Sequence, residues 1–306
     1  MTATTSTTNS SNTRKHDGLP GDPGRPSSGG ALSLSHQDFA RLSNFIHEQV
    51  GIKMPPSKKI MLEGRLQKRM RILGMDGCSR YCDYFFDLNN FEDELVHLID
   101  QVTTNKTDFF REPEHFAYLT SRVLPELGRS FKGRPARLWS AGCSTGEEPY
   151  TLSMVLSDYA RRQGGDFGFR ILATDISTQV LSYAKRAVYS EDRIEPVAME
   201  QRRNYLLRSK DPAKGLIRIA PSQRKAVEFR RLNFMDRDFG IREAMDVIFC
   251  RNVLIYFTRE TQFEVVSKLC SHLRPGGYLF LGHSESLHGL SLPLEQVGPT
   301  IYRRIS

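Results

Sequence analysis

Between Arg134 and Ser284 the chain repeats one pattern: a short apolar run, a turn of small or polar residues, then a stretch with helical periodicity. The runs are "ARLWSAG" from Ala136, "FRILATDIS" from Phe169, "VEFRRLNF" from Val227, "MDVIFCRN" from Met245 and "GYLFLGHS" from Gly277, with helices predicted from about Glu147, Ser177 and Thr258. Strands alternating with helices are joined by right-handed crossovers, and the parallel sheet they form must be covered on both faces. The pattern predicts a doubly wound, Rossmann-like α/β domain over residues 134–306. Such sheets bind ligands outside the carboxyl ends of their strands, where strand order reverses. The loops that follow the five runs are therefore the candidate site.

Ahead of this domain the composition changes twice. Residues 1–33 are Ser, Thr, Asn, Gly and Pro with few apolar side chains; such a segment buries too little surface to offset its ordering entropy and is predicted to be a disordered tail. Residues 34–103 show helical spacing, with Phe39, Leu42, Ile46 and Val50 behind Ser35, and Leu62, Leu66, Met70 and Leu73 ahead of Gly74. "SRYCDYFFDL" and "FEDELVHLIDQV" predict two shorter helices, completing a small all-helical domain. Residues 104–133 link the two domains. Extra chain at about 190–226, with a strand predicted at "GLIRIA", interrupts the α/β pattern.

The 306 residues are 39% hydrophobic, enough for two cores. No run approaches the roughly 18 apolar residues of a membrane span, and the amino terminus has no secretory apolar region, so a cytoplasmic protein is expected. Cys78, Cys82, Cys143, Cys250 and Cys270 contain no C-x-x-C pair, which points to reduced, packed thiols with neither a disulfide framework nor a metal site. A formal charge of +8 suggests an acidic partner without choosing among nucleic acid, an anionic surface and an acidic protein.

The turn after the first run reads "SAGCSTGEEPYTL", with Gly142 and Gly146 bracketing "CST". Glycines there let backbone approach a ligand closely. The pattern is not G-x-G-x-x-G and no Gly-Lys-Ser/Thr follows, which argues against a nucleoside triphosphate. Asp175 closes the second run, the position at which an acid accepts hydrogen bonds from ribose hydroxyls in nucleotide-binding α/β folds. A glycine turn, an acid and no phosphate anchor together fit S-adenosylmethionine. Glu147 agrees, since a carboxylate tolerates a sulfonium and an ammonium but repels a pyrophosphate.

Five stretches in order, "TTNKTDFFREPEHF", "SAGCSTGEEPYTL", "ATDIS", "FCRNVLIYF" and "GGYLFLGHSESL", resemble the chemotaxis receptor methyltransferases, the CheR family, from about residue 36 to the carboxyl terminus. The resemblance implies S-adenosylmethionine-dependent O-methylation of glutamate side chains on the cytoplasmic helices of methyl-accepting chemotaxis receptors. The reaction gives methyl esters and S-adenosylhomocysteine and serves sensory adaptation. It implies cofactor and active-site roles for Asn105, Thr107 and Arg111, acidic cofactor contacts at Glu147 and Asp175, and adenine and backbone contacts at Asn233, Phe234, Arg251 and Asn252. It also puts Tyr256 near the transferring methyl. A glutamate carboxylate is ionised at neutral pH and needs no general base. Arg111 is accordingly expected to fix a carboxylate, and Tyr256 to donate a hydrogen bond, as the two catalytic residues.

Two other classes stay open on the sequence. A nucleic-acid methyltransferase would explain the basic charge, but its usual Asn/Asp-Pro-Pro-aromatic loop is absent where "RNVLIY" stands after the fourth run. The other is a non-catalytic cofactor-binding module. "GHSES" mimics a hydrolase set, yet position 286 is Ser286 where a nucleophile elbow needs glycine. On a helical wheel Lys58, Arg65 and Arg69 share a sector beside the apolar stripe, and the resemblance turns that sector toward the acidic receptor helices. The 190–226 insertion resembles the family's small β-subdomain, but its loop reads "RSKDPAKG" without Gly-x-Gly, so no dependence on a receptor tethering peptide is expected. A monomer that neither binds nucleic acid nor inserts into membranes completes the expectation.

Overall fold

Helical periodicity behind a capping serine begins the fold. The computed structural model describes residues 33–87, 91–131, 133–165 and 167–305, so the expected disordered tail lies outside the described residues except for Ser33. The first helix, α1 (His36–Val50), starts at Ser35, whose hydroxyl accepts from the Asp38 amide at 2.9 Å, and stops at Gly51 with φ 74°. The hydroxyl satisfies an amide that a first turn leaves without a partner, and glycine takes left-handed backbone without strain. α2 (Lys59–Leu73) ends in the same way at Gly74, and α3 (Cys78–Phe86) and α4 (Phe91–Val102) follow. Leu42 and Ile46 of α1, Leu62 and Leu66 of α2, Phe85 of α3 and Leu98 of α4 meet in one apolar core.

Two arginines of α2 serve this helical domain internally. Glu94, 1% exposed, accepts from Arg69 Nε at 3.0 Å, Arg69 Nη2 at 2.7 Å and the Tyr81 hydroxyl at 2.9 Å. Arg65 Nη1 donates to the carbonyls of Gln101, Val102 and Thr103 at 3.2, 2.7 and 3.1 Å, at the end of α4 where carbonyls lack helical partners and a cation is favoured. Of the expected docking face of Lys58, Arg65 and Arg69, the two arginines thus have partners within the domain. Arg69 is largely buried beside its carboxylate, whereas Arg65 stays partly exposed, with Nη2 donating to Thr104 Oγ1 at 3.1 Å. Lys58 lies instead in the 3-10 turn Pro56–Lys58 ahead of α2.

From Pro113 a continuous helical segment, α5 (Pro113–Tyr118), a π turn at Leu119–Val123 and α6 (Leu124–Phe131), leads to the sheet. Then come β1 (Ala136–Ala141), α7 (Glu147–Arg162), β2 (Phe169–Asp175), α8 (Thr178–Arg186), β3 (Val188–Ser190), α9 (Met199–Tyr205), β4 (Leu206–Arg208) and β5 (Leu216–Ile219). After these follow α10 (Pro221–Lys225), β6 (Val227–Arg231), β7 (Met245–Cys250), α11 (Arg259–His272), β8 (Leu273–Leu281), β9 (Leu294–Gly298) and β10 (Ile301–Arg304). The seven-stranded sheet has the order β6-β2-β1-β7-β8-β10-β9. Its first five members are the five runs read from the sequence and pair in parallel, while β10 and β9 add an antiparallel edge. One apolar layer, with Phe116, Leu152 and Phe249, covers one face; a second, with Trp139, Val266 and Leu279, covers the other. β3, β5 and β4 form a separate antiparallel sheet between α8 and α10. No helix among the described residues is long and apolar enough to cross a membrane.

The Glu94 cluster yields the first prediction. Breaking a buried ion pair from one side leaves an uncompensated charge, at a cost of about 3–5 kcal/mol. Arg69→Ala should therefore lower stability by roughly 3 kcal/mol in denaturant unfolding, whereas Lys58→Ala should leave the midpoint unchanged. Equal midpoints for the two variants would remove the structural role of Arg69.

Candidate active site

β1 is flanked by β2 on one side and β7 on the other, so strand order reverses there and the loops leaving their carboxyl ends part to form a cleft. The helical domain closes its far side. Lys53 N donates to Tyr256 O at 2.8 Å, and Asn233 Nδ2 donates to Gln49 O at 2.7 Å. The cleft opens to solvent and is lined from both domains, among them by Val50, Ile52 and Met54 of the helical domain. Asn105, Thr107, Arg111, Gly142, Asp175, Asn233, Phe234, Arg251, Asn252, Tyr256 and Lys58 all line it. Residues read from five separate stretches of sequence thus share one wall-to-wall space.

The glycine turn is built as its residues require. Gly142 stands at φ 85°, and a Cβ there would come within 2.5 Å of Val253 Cγ2, so only glycine lets the β1 turn and the loop after β7 close together. Asp175 receives the Ser144 amide at 2.8 Å and the Ser177 amide at 3.0 Å, and Ser144 Oγ donates to Asn105 O at 2.9 Å. Turn, acid and linker loop are therefore locked to one another. Burial pushes the Asp175 carboxyl up, against the pull of its backbone amides.

Glu147, an expected acidic cofactor contact, has partners inside the protein. Buried at 1% exposure, it accepts from the Thr145 hydroxyl at 2.6 Å and from Arg193 at 2.5 Å, and it lies off the cleft wall. Its neighbour Glu148 lines the cleft, with Ser140 Oγ donating to it at 2.6 Å. Successive helical residues point about 100° apart, and the approach of Arg193 from the insertion claims the first glutamate, leaving the second for the cleft. Arg193 also donates to Thr107 O at 2.6 Å, so the insertion grips the linker loop.

Arg251 sits at the centre of the polar network. It meets Glu112 Oε2 at 3.0 Å and Glu148 Oε2 at 3.3 Å, donates to the Arg111 carbonyl, and stacks over the Phe116 ring at 5.4 Å. Burial would raise the Glu112 carboxyl, but Arg251 and the His283 amide hold it below its usual value. Phe110 and Glu112 both adopt positive φ, 54° and 55°, on either side of Arg111. Non-glycine residues occupy that region at a strain cost and cluster at functional sites. Arg111 itself donates to Lys106 O at 3.1 Å and stands on the cleft wall.

Glu285, from the "GHSES" stretch, is no hydrolytic acid. Its buried carboxylate accepts the amides of Asn252, Val253, Leu254 and Gly282 at 2.9, 2.8, 2.7 and 2.6 Å. This holds Asn252 at φ 60° and sets the loop that carries Tyr256. Sequence reasoning passed over Glu285, Glu148, Glu112 and Arg193. The signals available were the second glutamate of "GEEP" and an acid in a stretch that fits no nucleophile elbow. All five cysteines are buried, as expected of packing thiols.

With this geometry in place, comparison with known proteins is direct. Residues 37–103 match the family described as CheR methyltransferase, all-alpha domain, and residues 105–303 match CheR methyltransferase, SAM binding domain. A chemotaxis protein methyltransferase of Borreliella burgdorferi is 35% identical over 276 residues, covering 89% of this chain and 96% of the relative. Chemotaxis protein methyltransferase 2 of Pseudomonas aeruginosa is 35% identical over 270 residues, 88% and 93% of the two chains, and the Escherichia coli chemotaxis protein methyltransferase is 34% identical over 271 residues, 89% and 92%. An α/β sheet with its cleft at the β1 reversal, capped by a four-helix domain and matched along nearly its whole length, makes this chain a member of the CheR methyltransferase family.

Proposed function

We propose that this chain methylates glutamate side chains on the cytoplasmic helices of chemotaxis receptors, as a monomer acting on protein and not on nucleic acid. The observation that carries the reading is the placement of Asp175 at the end of β2, locked to the Gly142 turn and facing the same cleft as Arg111 and Tyr256.

The residues fit S-adenosylmethionine. Asp175 offers a carboxylate to ribose hydroxyls, Ile176, Leu232 and Phe234 offer apolar surface for a base, and no phosphate-binding lysine loop follows the glycine turn. When bound, this cofactor supplies a methyl group on a positively charged sulfur. Glu148 and Asp175 give the wall an acidic character suited to that charge. Asn105 and Thr107 bring the linker loop over the cleft, where it screens the site from water. Arg111 holds a carboxylate by a planar two-pronged contact, and the Tyr256 hydroxyl donates beside the reacting carbon. The substrate glutamate arrives already ionised, so rate comes from alignment and exclusion of water and not from proton transfer. Lys58, 5.7 Å from the Tyr256 ring centroid, and the exposed Lys106 are cations on the cleft wall that can draw in an acidic helix.

Incubation with methyl-labelled S-adenosylmethionine separates the three readings. Receptor-containing membranes should acquire label released by alkali as methanol, the signature of an ester. Label in added RNA would favour the nucleic-acid reading, and no transfer to either would favour a binding module. Arg111→Ala should lower methylation by about 100-fold or more, on the scale of losing one well-aimed donor. Asp175→Ala should weaken S-adenosylhomocysteine binding by roughly 10- to 100-fold, as for a hydrogen bond to a charged group. Near wild-type transfer by Arg111→Ala would withdraw its assignment.

Glu285 yields a separate expectation. Glutamine has one acceptor oxygen in place of two, so Glu285→Gln loosens the Tyr256 loop while Asp175 still holds the cofactor. We expect kcat to fall at least about tenfold, or 1.4 kcal/mol, with the S-adenosylhomocysteine Kd changed much less. Parallel loss of both would make Glu285 a general support of the cleft.

A further inference from the structure

On the side of Glu112 away from the cleft, two histidines and a second carboxylate converge. His115 of α5 is 1% exposed; its Nε2 lies 3.1 Å from Thr300 Oγ1, and its buried Nδ1 has no hydrogen-bond partner. That nitrogen lies 3.4 Å from Glu112 Oε2. His283, at the end of β8, stands with its ring at 83° to that of His115, centroids 5.2 Å apart, and its Nε2 is 2.6 Å from Glu114 Oε1. One donor atom each from Glu112, His115 and His283 lies within 4.8 Å of the others.

The orphaned nitrogen is the polar atom left open to a ligand, and it points into the cluster in the tautomer that donates to Thr300. When Nε2–H donates to Thr300, Nδ1 carries a lone pair, and that lone pair faces a carboxylate oxygen. Two acceptors pointed at each other in a buried site repel unless a cation lies between them. Arg251 donates to this same Glu112 Oε2 at 3.0 and 3.3 Å but makes no hydrogen bond to a histidine nitrogen, so Nδ1 keeps no partner.

We propose that Glu112, His115 and His283, with Glu114 at the rim, form a binding site for a first-row divalent transition ion such as Zn2+. Imidazole nitrogens mixed with carboxylate oxygens are the donors such ions take, whereas Mg2+ and Ca2+ favour oxygen alone. Glu112, in left-handed backbone just ahead of α5, and His115 in its first turn bring two donors together at the start of that helix, and the loop after β8 contributes the third. The Thr300 hydroxyl supplies the outer hydrogen bond that commonly orients a ligating imidazole. His283 and Glu114 are 49% and 57% exposed, so an ion can reach the site from solvent. Two carboxylates against the single Arg251 guanidinium leave the cluster net negative before the ion arrives. The ion would tie the start of α5 to the end of β8 behind the cleft wall. The site stands on its own geometry and does not depend on the reading of the methylation reaction.

The test uses the full chain stripped with a chelator and then dialysed. Zn2+ competed against a chromogenic chelator should bind at one ion per chain, and added Zn2+ should raise Tm, since an ion that binds only the native state stabilises it. Because His283 is exposed, His283→Ala folds without difficulty and should weaken the ion by at least about tenfold, abolishing the Tm shift. His97→Ala, on the exposed side of α4, should bind as wild type does. Co2+ in place of Zn2+ should give visible absorption without thiolate charge-transfer bands. Absence of a one-ion stoichiometry in the wild type, equal affinity in His283→Ala, or a thiolate spectrum would each overturn the proposal.

Discussion

Arg251, with its side chain 2% exposed, reaches Glu112 at 3.0 Å and Glu148 at 3.3 Å and donates to the Arg111 carbonyl, so the linker loop, the start of α7 and the loop after β7 share one guanidinium. A buried charge is tolerated only when it is paired and its donors are satisfied. Each of the three loops therefore has one place that meets that condition, and the cleft acquires its shape from it. Carboxylates do the complementary work on backbone. Asp175 takes the amides of Ser144 and Ser177, and Glu285 takes four from Gly282 and the loop after β7. Loops leaving the ends of parallel strands have no neighbouring strand to satisfy their amides; a carboxylate within hydrogen-bond reach replaces it.

Placement of the cleft follows from strand order. Because β2 and β7 lie on opposite sides of β1, their following connections diverge and leave a crevice. The helical domain closes the crevice through two backbone acceptors, Tyr256 O and Gln49 O. Tyr256 thereby belongs to both the cleft wall and the domain contact. A reaction between an anionic nucleophile and a cationic electrophile needs mainly alignment and dryness, and both come from rigid surroundings. The positive φ of Phe110, Glu112 and Asn252 around this wall is the local strain that such rigidity sustains.

Much of this was legible in the chain. Five apolar runs gave the parallel strands because strands buried on both faces need continuous apolar character; Ser35 and Gly74 marked helix ends because capping chemistry is local. The antiparallel β9 and β10 escaped notice. They are short and partly exposed, with polar residues between Leu294, Val297 and Ile301. Residues that line the cleft were largely found, since each ends a strand or sits in a distinctive loop. What could not be read was which charges pair with one another. Arg69 pairs with Glu94 and Glu147 with Arg193, contacts made across 25 and 46 positions that no periodicity encodes. The donors gathered at positions 112, 115 and 283 were invisible for the same reason.

The central claim is that one cleft, closed by the helical domain, presents Asp175 to a nucleoside and Arg111 with Tyr256 to the reacting end. A crystal structure of the chain with S-adenosylhomocysteine bound tests it most directly. The account predicts ribose hydroxyls within hydrogen-bond distance of the Asp175 carboxylate and the sulfur facing the open mouth beside Tyr256. A ligand bound away from Asp175, or one whose sulfur points from the mouth toward the sheet, would contradict it.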